Sequence, residues 1–141
     1  TVEPRSVEGL TGPDARHTSY VPFSRVVPRS AAFVTHGGIG SVAQGLAAGV
    51  PQIAVPMGFD QRDNGSRIED LGAGGCLPLS RWTVKRAVKA LDRVLSDPSV
   101  AQAASAAAAR IDPSAARNAA VEAVESALRA RRPQPDPSAS R

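Results

Sequence analysis

Two short apolar runs, "AAFVT" at 31–35 and "QIAVPM" at 52–57, are separated by one helix's length of chain. Neither alternates with polar residues, which suits strands buried on both faces. The segment between them, "GSVAQGLAAG" at 40–49, reads as a helix, with Ser41 in its first turn and Gly49 as its stop ahead of Pro51. A strand, a helix and a strand in succession make a parallel pair, because the helix carries the chain back across the sheet. The alternation continues downstream. "DQRDNGSRIEDLGAG" begins at Asp60 with capping-type acids and reads as a helix ending at Gly72, and "GCLPL" at 75–79 is a further short strand. Upstream, "HTSYVPF" is expected to be a short extended piece reaching Pro22, and "SRVVPRS" a single helical turn stopped by Pro28. After the last strand, Val84, Ala87, Val88, Leu91, Val94 and Leu95 recur at helical spacing. Two Ala-rich helices follow, divided by Asp112-Pro113. The order β, β, α, β, α, β and then helices predicts an α/β fold: a Rossmann-like parallel sheet with flanking helices, too short for a complete doubly wound domain. The expected organisation is a loop lead-in over 1–15, one domain over 16–130 and a disordered basic tail over 131–141.

Composition narrows the function. The 141 residues suit one domain, and the apolar share of 42% is ordinary for a globular chain. The apolar residues are mostly Ala and Val, with three Phe, one Trp and one Tyr, so the core is thin per side chain. A net charge of +4 raises the question of nucleic acid. The basic residues are scattered, and the densest group lies in the C-terminal "RARRPQPDPSASR" with no aromatics interleaved, so no nucleic-acid partner is expected. The single Cys76 excludes an internal disulfide and suits a reducing compartment, hence a cytoplasmic location. Within "GAGGCLPL" it reads as a small core residue rather than a nucleophile. No Cys/His spacing fits zinc, no Asp-x-Asp is present, and no metal or cofactor is expected. No apolar run approaches the ~20 residues of a membrane span. The first residues carry no signal-peptide pattern and no initiator Met, which suggests a piece of a longer protein.

The turn between the first apolar run and its helix is His36-Gly37-Gly38-Ile39-Gly40-Ser41. Glycines there allow φ > 0 and let an anion approach the backbone. The helix that follows aims free N–H groups and its positive dipole end at the same place, so a phosphate is the natural ligand. A side chain at Gly38 or Gly40 is expected to block such a ligand and to strain the turn. His36 adds a donor at the rim, Ser41 a hydroxyl, and Gln44 lies one helical turn further on. Asp60 and Gln61 end the next strand–loop unit and open on the same sheet edge. A ligand-free strand-to-helix turn would use the same glycines. "GIGSVA" also fits the Gly-x-Gly-x-x-Ala dinucleotide fingerprint of NAD or FAD domains, with Asp60 some way downstream as its ribose acid. That acid should sit at the strand tip, whereas Pro56, Met57, Gly58 and Phe59 intervene.

Taken together, "YVPFSRVVPRSAAFVTHGGIGSVAQGLAAGVPQIAVPMGFDQ" resembles the donor-binding signature of the UDP-glycosyltransferase superfamily, of the bacterial sterol- and antibiotic-type and more loosely the plant type. The likeness runs from about Ser19 to Arg110. It implies part of the C-terminal domain of a GT-B glycosyltransferase, built of two facing Rossmann-like domains, that moves a hexosyl group with inversion from a UDP-sugar or another nucleotide sugar to a hydroxyl acceptor. Carried over by position, His36, Gly37, Gly38, Gly40 and Ser41 match the diphosphate-binding turn. Gln44 stands where many members have a Glu that holds the ribose. Asp60 and Gln61 match the pair on the transferred sugar, and Tyr20, Val21 and Pro22 the segment under the base, where plant members have Trp in place of Tyr20. Thr35 replaces a His common in bacterial members. The resemblance places the catalytic base and the small lipophilic, sterol or natural-product acceptor on the N-terminal domain, so no catalytic residue is expected here, and His17 reads as a surface residue. The alternative is a nucleotide-binding remnant without catalysis.

Overall fold

The computed structural model describes residues 12–131. The described residues divide into two compact units, one ending at Arg110 and one beginning at Ile111. In the first unit, α1 (Phe23–Val26) runs into a 3₁₀ turn (Val27–Arg29) and leads to β1 (Phe33–Thr35), α2 (Ile39–Ala47), β2 (Gln52–Ala54), α3 (Gln61–Asp70) and β3 (Gly74–Cys76). A 3₁₀ turn (Leu79–Arg81), α4 (Val84–Ser96) and α5 (Pro98–Ala108) complete it. The second unit holds α6 (Pro113–Arg131), whose first turn is capped by Asp112 Oδ1 accepting from the N–H groups of Ser114 and Ala115. Of the expected lead-in over 1–15 and tail over 131–141, residues 1–11 and 132–141 lie outside the described residues.

The three strands form one parallel sheet in the order β1-β2-β3, with Val34 opposite Ile53 and Ile53 opposite Gly75. β2 is central and all three of its residues are buried. Ala54 packs on one face with Val42 of α2 and Ile68 of α3. Ile53 packs on the other with Val94 of α4 and Val100 of α5. Burying Ile53 and Ile68 contributes about 1.5–3 kcal/mol each. The core is otherwise small: Val27, Val42, Val50, Ala54, Ala73, Val94, Val100 and Ala104. Small residues let the layers approach closely. A Cβ at Gly45 of α2 would strike the Gln52 amide, and one at Gly65 of α3 would stand 2.7 Å from Cys76 Sγ. Both helices therefore lie hard against the sheet, and Gln52 Nε2 donates to the Val42 carbonyl at 3.2 Å. Gln52 Oε1 is buried without a partner among the described residues. Gly49 and Gly72 end α2 and α3 with φ of +67° and +69°, as their positions in the sequence suggest.

Three expectations are corrected. "HTSYVPF" is not a strand, so the sheet has three strands among the described residues rather than four. Thr18 Oγ1 donates to the Tyr20 carbonyl and accepts from the Tyr20 N–H, a local loop in place of a ladder. β1 is not buried on both faces. It is the sheet edge, and Val34 is 44% exposed because the helix layer that covers Ile53 does not extend over it. On α4 the inward residues are Ala90, Leu91 and Val94, while Val84, Val88 and Leu95 are exposed. Helical periodicity identifies an apolar stripe, but the position of the sheet decides which edge of the stripe is covered.

The α4–α5 junction depends on a cap that titrates. Asp97 Oδ1 accepts from Ser99 Oγ at 2.6 Å and from Ser99 N–H at 2.9 Å. The hydroxyl bond, then the backbone bond, hold its carboxyl below the usual range. A depressed folded pKa contributes stability above the unfolded value, near ~3.9, and loses it as pH falls through the folded value. Asp97→Ala should therefore melt lower than wild type at pH 6, and the gap should close as the pH is taken below about 4. Thermal melts followed by circular dichroism across that range check it, and a gap that widens in acid contradicts the cap.

Candidate functional site

The polar residues singled out in the sequence gather where β1 and β2 end. Thr35 closes β1, and its Oγ1 accepts from the Gly37 N–H at 3.0 Å, tightening the turn before the helix starts. Gly37 is buried with φ +86°, and a Cβ there would stand 2.9 Å from the Gln61 carbonyl oxygen. This is the glycine the backbone requires. Gly38 is in extended conformation, φ −64° and ψ 139°, and is the N-cap of α2. A Cβ on it would meet His36 Nε2 at 2.5 Å, so the exposed imidazole lies directly over the turn. Gly40 is already inside the helix, and a Cβ there would meet nothing within 4 Å. The expected strain at Gly40 is thus absent, and the space in front of it is open.

The N–H groups of Gly38, Ile39 and Gly40 find no acceptor among the described residues, and no side chain caps α2. They carry the positive end of the helix dipole into open space beside His36. Ser41 follows, half-buried in the first turn. Gln44, one turn further, donates weakly to the Gly40 carbonyl at 3.4 Å and lines a groove of about 210 Å³ with Phe23, Ser24 and Pro28. The structure so brings Gln44 beside α1, the helix that begins directly after Tyr20-Val21-Pro22. Tyr20 is 79% exposed, while Val21 and Pro22 are half-buried. His17 is exposed.

The second loop is tied to the first. Asp60 is the N-cap of α3 by position but not by bonding. Its φ and ψ are helical and its carboxylate makes no cap bond. Asp60 Oδ2 instead accepts from Asn64 Nδ2 at 2.9 Å, and the same nitrogen donates to the Gly37 carbonyl at 3.0 Å. Gln61 Oε1 accepts from the N–H groups of Met57 and Gly58, at 2.8 and 3.1 Å, so only its NH₂ group remains for a ligand. That clamp forces the chain through Phe59 at φ +56°, with the ring 99% exposed. Beside it a cleft of about 510 Å³ is lined by Met57, Phe59, Arg62, Pro78 and Leu79. Sequence reasoning missed Asn64, Thr35 as a turn lock, and Phe59. The spacing of four between Asp60 and Asn64 is a legible helical pair, but the bond to Gly37 joins residues 27 apart. Cys76 packs against Gly65 and is half-buried, and burial, then Glu69, push its thiol up. Among the described residues no group of three or more His, Cys, Asp or Glu could hold a metal ion, and no helix is long and apolar enough to cross a membrane.

The fold is that of a Rossmann-like α/β domain of the kind found in GT-B glycosyltransferases. Residues 4–130 match the family described as "Erythromycin biosynthesis protein CIII-like, C-terminal domain", and the chain belongs to that family. It is similar to the 3-alpha-mycarosylerythronolide B desosaminyl transferase of Saccharopolyspora erythraea, 36% identical over 100 residues, covering 70% of this chain and 24% of that protein. The chain thus spans about a quarter of that relative's length. Among solved structures it is similar to CalG4, the calicheamicin glycosyltransferase, with a TM-score of 0.78, 27% identity and coverage of 94% of this chain and 34% of the other. It is also similar to the glycosyltransferase VinC in complex with DTDP, with a TM-score of 0.70, 29% identity and coverage of 75% and 27%.

The two glycines of the turn should separate cleanly in stability. Gly37→Ala forces a left-handed φ on a residue with a Cβ and drives it at the Gln61 carbonyl, which should destabilise by about 1–3 kcal/mol. Gly40→Ala meets no contact at a helical position and should leave stability unchanged or raise it by up to about 1 kcal/mol. Urea unfolding of both variants checks this, and equal losses would contradict the turn geometry.

Proposed function

We propose that this chain is the donor-binding part of a glycosyltransferase that moves a hexosyl group from a nucleotide sugar to a hydroxyl acceptor with inversion. The observation that carries the reading is the row of N–H groups at Gly38, Ile39 and Gly40, without an acceptor among the described residues, beneath the His36 imidazole. A diphosphate satisfies those donors and meets the positive helix end. In the transfer, the acceptor hydroxyl passes its proton to the catalytic base and its oxygen attacks the anomeric carbon, the bond from that carbon to the diphosphate breaks, and negative charge gathers on the leaving phosphate. Fixed donors aimed at that position stabilise the charge as it forms and need no reorganisation. Asp60 Oδ1 and the Gln61 NH₂ group, on the adjoining loop, offer an acceptor and a donor for sugar hydroxyls. Gln44, in the groove beside α1, is the ribose contact, and Tyr20, Val21 and Pro22 lie under the base.

The similarity to the DTDP-bound glycosyltransferase VinC and to a UDP-glucuronosyltransferase supports a thymidine or uridine diphosphate donor, and that to the desosaminyl transferase a natural-product acceptor. The acceptor and the catalytic base belong to a part of the protein outside this sequence. No metal or cofactor is assigned a role, and the protein acts in the cytoplasm. The dinucleotide reading is less well supported. Its third small residue packs against the strand, whereas Ala43 is exposed. Its ribose acid belongs at the strand tip, whereas Asp60 lies beyond a loop and bonds to Asn64.

Calorimetric titration of UDP, dTDP and the parent nucleosides into the 141-residue chain tests the reading. His36→Ala should weaken diphosphate binding about tenfold, by removing one hydrogen bond, and leave nucleoside binding unchanged. Gly40→Val should abolish diphosphate binding without unfolding the chain, because its side chain enters the open space that the phosphate would fill. Nucleoside and diphosphate weakening together, or diphosphate binding unchanged in Gly40→Val, would sink the assignment.

A further inference from the structure

Asn64, in the first turns of α3, is buried with a relative exposure of only 6%, and both hydrogens of its amide are used. One goes to the Gly37 carbonyl at 3.0 Å, the other to Asp60 Oδ2 at 2.9 Å. Both partners are pure acceptors, so the group facing them has to be NH₂ and not the amide oxygen. We propose that Asn64 is a positioning residue that sets the phosphate-facing turn and the Asp60 carboxylate in one geometry, so that the diphosphate and the sugar of a nucleotide sugar are bound as a coupled unit. This deepens the donor-site reading above and rests on it.

The argument runs through one peptide plane. The unit joining Gly37 to Gly38 is trans, so the Gly38 N–H points opposite to the Gly37 C=O. Drawing that carbonyl inward to Asn64 turns the Gly38 N–H outward to the open mouth, in line with the free N–H groups of Ile39 and Gly40. Without the bond the plane is free to rotate, since Gly37 at φ +86° carries no side chain to hold it. The second hydrogen acts on the sugar side. It holds Asp60 Oδ2 and so draws the carboxylate away from capping its own helix, leaving Oδ1 with no partner among the described residues. A buried amide bonded to both sides holds each of them, so loss of Asn64 releases the turn and the Asp60 carboxylate together, whereas loss of the Asp60 carboxylate leaves the bond to Gly37 in place.

The test uses the 141-residue chain with UDP, uridine and UDP-glucose as probes, titrated calorimetrically into wild type, Asn64→Ala, Asn64→Asp, Asp60→Ala and the Asn64→Ala/Asp60→Ala pair. Asn64→Asp keeps the side chain's volume and removes the donor, which covers the case that Asn64→Ala folds poorly. Both Asn64 variants should weaken UDP about tenfold while uridine is unchanged, a split that a merely loosened fold would not produce. Asp60→Ala should leave UDP within about twofold and reduce the extra affinity of UDP-glucose. In the Asn64→Ala background the Asp60 substitution should have little further effect on that extra affinity, because the carboxylate has already lost its position. UDP binding unchanged in Asn64→Asp, or independent addition of the two effects, overturns the proposal. Amide resonances of the ligand-free protein give a separate readout: Asn64→Ala should shift Gly38 and Gln61 together, and a stationary Gly38 overturns the positioning role. Should the wild-type chain bind none of the probes, the donor-site reading falls, and the resonances alone then decide whether Asn64 couples the two loops.

Discussion

The close approach of α2 and α3 to a central strand buried on both faces governs the rest of this structure. β2 has three residues, and each is covered. Helices can seal so short a strand only by lying hard against it, which is why glycines occupy the contact points at Gly45 and Gly65. Glycine inside a helix costs about 1 kcal/mol relative to alanine. Here it is offset by the burial of Ile68, Val42 and Ala54, which a wider spacing would leave poorly packed. The same approach delivers the start of α2 to the carboxyl edge of the sheet with its first N–H groups facing outward.

At that edge most polar groups serve the protein before they serve any ligand. Thr35 locks the turn, Asn64 joins it to the next loop, and the Gln61 oxygen clamps Met57 and Gly58. Among the described residues, what remains without a partner is a small set: three backbone N–H groups, the His36 ring, one Asp60 oxygen and the Gln61 NH₂. A set held in place by internal bonds loses little entropy when a ligand arrives, so its hydrogen bonds favour a ligand of matching shape. The strained backbone at Phe59 belongs to the same arrangement, because the Gln61 clamp fixes the loop on one side and α3 fixes it on the other.

Much of this was readable in the residues. The apolar runs, the glycine stops at Gly49 and Gly72 and the Asp112-Pro113 break place every helix and strand from β1 onward within a few positions. The glycine turn and Asp60-Gln61 stand out by residue type alone, and they do share one edge. The misreadings have a common cause. The segment before Pro22 has the composition of a strand but closes on itself through Thr18 and Tyr20, and Val34 belongs to a buried-looking run that lies at a sheet edge. Val84, Val88 and Leu95 belong to an apolar stripe wider than the surface it covers.

The sequence by itself determined the local elements, because caps, glycines and hydrophobic periodicity act over a few residues. It determined the parallel α/β class too, since helix-length crossovers admit little else. Tertiary structure alone decided which glycine is conformationally required, Gly37 rather than Gly40, and which groups remain free for a ligand. It also decided the part played by Asn64, which resembles any polar residue in a helix until the fold sets it against a carbonyl 27 residues away. Such a bond leaves no local trace, because it depends on where two loops meet and not on the residues beside either one.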